Sequence, residues 1–148
     1  MKLADMLLDP EDEHLRSTYP YLDGSGYAIR TVEIEGKRTT ESLHRVLAKA
    51  KKTQHVDHIN GVRLDNRKEN LRLCTKAENC RNKSKQRNNK SGYKGVSWNS
   101  ARKLWNARIN INYAQFDLGY FKTAEEAALE YNEAALFLHG KFAKLNEV

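Results

Sequence analysis

The spacing of apolar positions changes several times along the chain, and each change marks an element. From Tyr27 to Ile34 the pattern alternates, with Ala28, Arg30, Val32 and Ile34 on one face and Glu35-Gly36 following as a turn. A period of two predicts a strand entering a hairpin. Leu43, Val46, Leu47 and Ala50 then recur at helical spacing, which predicts a short amphipathic helix over 41–51. Val56–His58 and Leu71–Cys74 read as two short strands. Asn60-Gly61 between them is a turn, with Asn60 expected to supply a positive φ. Thr75 followed by Glu78 forms a capping box, so a helix begins there and runs to Asn82. Residues 1–18 show weak periodicity and high acidity, and predict a frayed lead or short helix without chemistry of its own.

Residues 83–92, KSKQRNNKSG, contain no apolar side chain and read as a basic tether at a domain boundary. Beyond it, Lys94–Trp98, Leu104–Ile111 and Phe116–Phe121 are three strand-like runs. Thr123 and Glu126 form a second capping box. Behind it Ala127, Tyr131, Ala134 and Leu138 make one stripe, widened by Ala128 and Ala135 and closed by Gly140. Alanines on that stripe would let the helix lie close against the three strands. The expected organisation is an acidic lead (1–24), a first module (25–82), a basic linker (83–90) and a second module (91–148).

Composition narrows the function. With 148 residues, 39% hydrophobic and 30% charged, this is a polar globular chain. No apolar run is long enough for a transmembrane helix, and the N-terminus turns acidic too soon for a secretory signal. No membrane partner is expected. Residues 1–24 hold two basic and six acidic side chains, residues 25–90 hold 17 and seven, and residues 91–148 hold seven and six. The net +7 therefore comes from the middle of the chain. A concentrated basic block suits a polyanion, most often nucleic acid, against the plainer alternative of a solvated basic surface. Cys74 and Cys80 form no C-x-x-C pair, so neither a zinc ribbon nor a disulfide framework is supported.

The densest chemistry lies in residues 55–79, HVDHINGVRLDNRKENLRLCTKAEN. Phosphodiester hydrolysis needs a base for water, a hard cation on the phosphate and ligands for that cation. Asp57 offers a carboxylate and Asn79 an amide oxygen, both suited to Mg²⁺ or Mn²⁺. His58 is a base with an ordinary pKa of about 6.5. Asp65 and Asn66 read as loop or cap residues. Strand alternation would send Asp57 and His58 to opposite faces, so a joint role requires the strand to end or twist there.

In this segment D-H-I-N-G, D-N-R-x-E-N-L-R and T-x-x-E-N resemble the HNH homing endonucleases of phages and mobile introns, nucleases with the ββα-metal fold. The resemblance covers residues 25–82. It implies Asp57 and Asn79 as metal ligands, His58 as general base, and Asn70 as the residue that braces the loop and orients the base. A final ligand of Asn rather than His favours a single Mg²⁺- or Mn²⁺-type site over structural zinc. The preceding Leu43-His44-Arg45 matches the family's short helix. His44 and Arg45 are candidates for DNA contact, with packing between helix and hairpin the alternative for His44.

Residues 91–146 carry a second resemblance. S-G-Y-K-G-V-S-W, W-N-A-R-I, L-G-Y-F-K-T-A-E-E-A-A-L-E-Y-N-E-A-A and H-G-K-F-A-K-L-N are similar to the plant APETALA/ethylene-response DNA-binding domain. That family sets a three-stranded antiparallel sheet in the major groove with a helix behind it. Lys94, Trp98, Arg102, Trp105 and Arg108 are the implied sheet-face contacts, with Lys103 a weaker one. Trp98 and Trp105 could instead be core residues. Ser97 and Asn110 stand where that family commonly has basic residues, and Asp117 where it commonly has an aromatic. Lys83, Lys85 and Arg87 of the linker are candidate phosphate contacts.

The expectation is an α+β chain, a ββα-metal HNH module followed by a three-stranded sheet packed on one helix. It would cut double-stranded DNA at a chosen site, as a homing or nicking endonuclease, in the cytoplasm of a bacterial host if of phage or intron origin. A monomer with one site would nick one strand unless it dimerised. The rival is a DNA-binding regulator with an inert nuclease module; an RNA-binding role gains nothing from the motifs.

Overall fold

The computed structural model describes residues 2–112 and 114–148. Its contacts divide the chain into two compact units, the first ending at Asn79 and the second beginning at Cys80. The basic stretch 83–90, read above as a tether, falls inside the second unit. The fold is mixed α/β, with small antiparallel sheets and few helices.

In the first unit, β1 (Tyr21–Leu22), β2 (Ala28–Ile34) and β3 (Lys37–Ser42) form an antiparallel sheet in that order. The Glu35-Gly36 turn joins β2 to β3, both residues having positive φ. α1 spans only Leu43–Leu47. It starts later than its periodicity predicts because Glu41 and Ser42 pair with Arg30 and Ile29 and stay in β3. β4 (His55–His58) and β5 (Leu71–Cys74) pair antiparallel, with Asp57 opposite Arg72 and His58 opposite Leu71. α2 (Lys76–Arg81) follows directly. Its capping box forms as expected: the Thr75 amide donates to Glu78 Oε2 at 2.8 Å, and the Glu78 amide to Thr75 Oγ1 at 3.2 Å.

Of the two expectations for the acidic lead, the short helix holds: it forms 3₁₀ helices over Leu3–Asp5 and Pro10–Thr18 and does not fray. Met6, Leu8 and Tyr19 are buried with Ala28, Leu43 and Leu64 in the core of this unit. The Leu7 amide donates to the Leu64 carbonyl at 2.8 Å, and the Asn66 amide to the Leu7 carbonyl at 2.9 Å. Asp9 Oδ2 accepts from the Lys68 amide at 2.8 Å, and the Lys68 ammonium pairs with Glu11 and Asp12. The lead therefore clamps the loop between β4 and β5. Its acidity is spent on that clamp, and on intrasegment pairs such as Arg16–Glu13.

In the second unit β6 (Val96–Asn99), β7 (Leu104–Ile111) and β8 (Ala114–Phe121) form an antiparallel sheet in that order. One face packs on α3 (Ala124–His139), where Ala124, Ala127, Ala128 and Ala135 are buried against Val96, Ala107 and Ile109. The small side chains bring helix and sheet close, and the Thr123–Glu126 box caps the helix.

β6 starts at Val96 rather than Lys94. Gly95 has φ +77°, and a Cβ there would lie 2.2 Å from the Tyr131 ring and 2.6 Å from the Arg108 carbonyl. A side chain at this position is strained twice, by backbone conformation and by contact. Gly95→Ala is expected to destabilise the second unit by about 2–3 kcal/mol. Thermal unfolding checks this; an unchanged midpoint would show that Tyr131 moves aside freely.

Candidate active site

Asp57 and His58 close β4, and both are buried. His58 is the last strand residue, so the strand ends where a joint role requires it to. Arg72, directly across the ladder, donates Nε and Nη2 to Asp57 Oδ2 at 2.8 and 2.6 Å. Both side chains are largely withdrawn from water.

The loop from residue 59 to 70 is held by its own side chains. Asn70 Nδ2 donates to Asn60 Oδ1 at 3.0 Å and to the Asp65 carbonyl at 2.8 Å, while its Oδ1 accepts the Asn60 amide at 3.0 Å. The Asn70 side chain thus bridges both ends of the loop beside His58. Asn60 Nδ2 donates to Asp65 Oδ2 at 2.8 Å, and Arg67 forks onto both oxygens of that buried carboxylate at 2.8 Å. This fork, more than any other contact, holds the Asp65 carboxyl below its usual range. The positive φ expected of Asn60 belongs to Gly61 instead, at +77°. Asn60 serves through its amide: Oδ1 also accepts the Val62 N–H at 2.8 Å.

His58 Nε2 lies 3.2 Å from Asn66 Oδ1. An amide oxygen can only accept, so this bond selects the tautomer with the proton on Nε2 and makes Nδ1 the basic nitrogen. The His58 ring packs in a triad, 5.4 Å from His44 and 5.8 Å from Tyr27, with Tyr27 and His44 4.7 Å apart. Burial pushes the His58 pKa down, against the opposing pull of Asn66 and the nearby aspartates. The net effect favours the neutral imidazole.

Burial and, second, the neighbouring His58 push His44 down to about 4. Unfolding returns it to about 6.5. Between those values the unfolded chain binds the extra proton, so stability falls as pH drops through this window, by up to about 3 kcal/mol. Urea unfolding at pH 7 and pH 4.5 tests this. His44→Phe keeps the ring and removes the proton site, and should show a clearly smaller acid loss than wild type. Equal losses would place the titration elsewhere.

His44 is thus buried beside His58 rather than offered on an open surface. Arg45 donates to the carbonyls of Gln54 and Lys51, both at 2.8 Å, and ties down the turn before β4. Asn79 lies half-buried on α2, its amide bonded to the Thr75 carbonyl. Cys74 is buried, Cys80 is exposed, and both are free. Sequence reasoning missed Arg72 as the partner of Asp57, Asn66 as the partner of His58, and Tyr27 in the ring triad.

In the second unit Lys83 and Arg87 are exposed, and Lys85 Nζ donates to the Gly92 carbonyl. Lys94 turns inward. Its ammonium donates to the Arg81 carbonyl, its backbone is bonded on both sides by Asn146, and burial brings its pKa down to about 8. Trp98 and Trp105 pair across the ladder with ring centroids 5.3 Å apart. Trp105 packs against the core, while Trp98 is half exposed at the sheet edge. Arg102 lies 4.4 Å over the Tyr120 ring. Arg108 pairs with Asp117 at 2.7 Å. Lys103 occupies the turn before β7, with φ +54°.

A family model described as HNH endonuclease matches residues 42–81, the stretch that holds α1, β4, the braced loop, β5 and α2. Protein 3.8 of Escherichia phage T7 is 33% identical over 93 residues, covering 63% of this chain and 76% of that protein. An uncharacterized HNH endonuclease, L560, of Acanthamoeba polyphaga mimivirus is 31% identical over 130 residues, covering 86% of this chain and 66% of its own length. That second alignment is long enough to span both units. No solved structure matches the chain.

Proposed function

We propose that this chain, whose residues 42–81 match the HNH endonuclease family, is a metal-dependent, site-specific DNA endonuclease of the homing or nicking kind, with a ββα-metal nuclease module. The observation that carries the reading is His58, buried beside Asp57 at the end of β4 with its Nε2 3.2 Å from Asn66 Oδ1. HNH nucleases generally use a divalent metal ion. The donor types fit a hard cation, since buried Asp57 brings a carboxylate and half-buried Asn79 an amide oxygen. Such a cation, when bound, stabilises charge on the scissile phosphate and the leaving oxygen.

His58 accepts the proton of the attacking water at Nδ1, and Asn66 keeps the imidazole in that tautomer. Asn70 braces the loop behind it. Attack in line with the 3′-oxygen leaves 5′-phosphate and 3′-hydroxyl ends. Arg72 holds the Asp57 side chain in place across the ladder.

The second unit holds the DNA. Its three-stranded sheet with one helix behind it, and Arg102 and Arg108 on the face away from α3, support an APETALA-type role. Lys94 and Trp105, being turned inward, take no part in that face.

Supercoiled plasmid provides the test. Mg²⁺ or Mn²⁺ should convert it to open circle, and EDTA should stop conversion without loss of circular dichroism. A DNA-binding regulator would retard the plasmid and leave it uncut. Unfolding on chelation would indicate a structural metal instead.

A further inference from the structure

The face of the β6–β7–β8 sheet turned away from α3 carries an acidic group beside its arginine, and a bulge in the sheet puts it there. Ala107 pairs with Gly119 but Arg108 pairs with Asp117, so Leu118 is the extra residue on β8. Its side chain packs into the core with Ile109 and Ala107. In an unbroken ladder Arg108 would face Leu118. The bulge sends Leu118 inward and turns Asp117 onto Arg108.

Asp117 is then pinned from two sides. Its Oδ1 accepts from Arg108 Nε at 2.7 Å and from Asn106 Nδ2 at 3.2 Å. Asn106 is itself buried and anchored by a second bond to the Gly119 carbonyl at 3.0 Å. The carboxylate stays accessible nonetheless, with 56% of its side chain exposed against 39% for Arg108. The arginine holds its carboxyl below the usual range, so it is ionised at neutral pH.

A fixed carboxylate next to a guanidinium sets an acceptor and several donors side by side. In the major groove a C·G pair presents the complement: guanine N7 and O6 accept, and cytosine N4 donates. A carboxylate on a DNA-facing surface also repels phosphate at every other site, so it weakens indiscriminate binding while favouring one base. Resting on the reading that this sheet holds DNA, we propose that Asp117, positioned by Asn106 and the bulge, is a specificity-determining residue that reads one C·G base pair together with Arg108.

The test uses the full chain carrying His58→Ala, so that it binds without cutting, and a pool of random duplexes. Sites are selected with Asp117 intact, with Asp117→Asn and with Arg108→Ala. Asp117→Asn should relax the preference at one C·G position by roughly 5- to 150-fold. Arg108→Ala should relax the same position and weaken binding. If Asp117→Asn tightens binding to all sequences alike and leaves the selected site unchanged, the carboxylate only screens Arg108 and the proposal is overturned. If neither substitution alters affinity or selected site, the sheet is not on the DNA, and the reading of the second unit falls first.

Discussion

His58→Ala is expected to slow plasmid cleavage by roughly 10²–10⁴-fold, the usual contribution of a general base, while DNA affinity stays nearly unchanged. The two effects separate because His58 is buried. It adds no charge to the surface that meets phosphate, and binding to a polyanion comes from the charged surface. Removing the imidazole also opens the triad with Tyr27 and His44, so some stability is lost, and the melting point must be measured alongside the rate. His58→Gln keeps more of the volume and an acceptor but cannot carry the proton; it should cleave as poorly as alanine while melting higher. Gel retardation and single-turnover cleavage on the same duplex give the comparison. Affinity falling in step with rate in both variants would make His58 a structural residue.

The residues of the candidate site differ in how far the sequence announces them, for identifiable reasons. Asp57, His58, Asn70 and Asn79 stand out because their types and spacing follow a motif, and both capping boxes are local signals closed within one turn. Arg72 is different. It meets Asp57 only through the register of β4 against β5, and the loop of side-chain brackets that sets this register gives no periodic signal. Asn66 reads as one more loop polar residue until the Leu7 carbonyl fixes its backbone beneath His58. That contact comes from the lead, whose 3₁₀ turns lack the 3.6-residue period that would advertise a packed helix. Lys94 and Trp105 are expected on the surface by pattern but turn inward, Lys94 to the Arg81 carbonyl and Trp105 against the core. Sequence alone allows His44 either surface or core, and the Tyr27 and His58 rings decide it.

Arg72→Ala should destabilise the first unit by about 3–5 kcal/mol, the usual result of removing one partner from a buried ion pair. The guanidinium is the cation set directly on Asp57 Oδ2, and both groups are shielded from water. Its loss leaves a buried carboxylate without that counter-charge. If Asp57 also serves a divalent cation, the variant has more to gain from one. Mg²⁺ or Mn²⁺ should therefore raise the melting point of Arg72→Ala more than that of wild type, because a ligand bound only by the folded state stabilises it in proportion to its affinity. A second variant separates stability from chemistry. Replacing the pair together, Asp57→Leu with Arg72→Met, removes both charges and fills the space with apolar atoms, a change that is often neutral or favourable for a buried pair. That double variant should melt close to wild type, ignore Mg²⁺ and cut nothing. A metal-independent melting point in Arg72→Ala, with cleavage retained in the double variant, would mean that Asp57 is only the anchor of a structural ion pair and that the cation is held elsewhere.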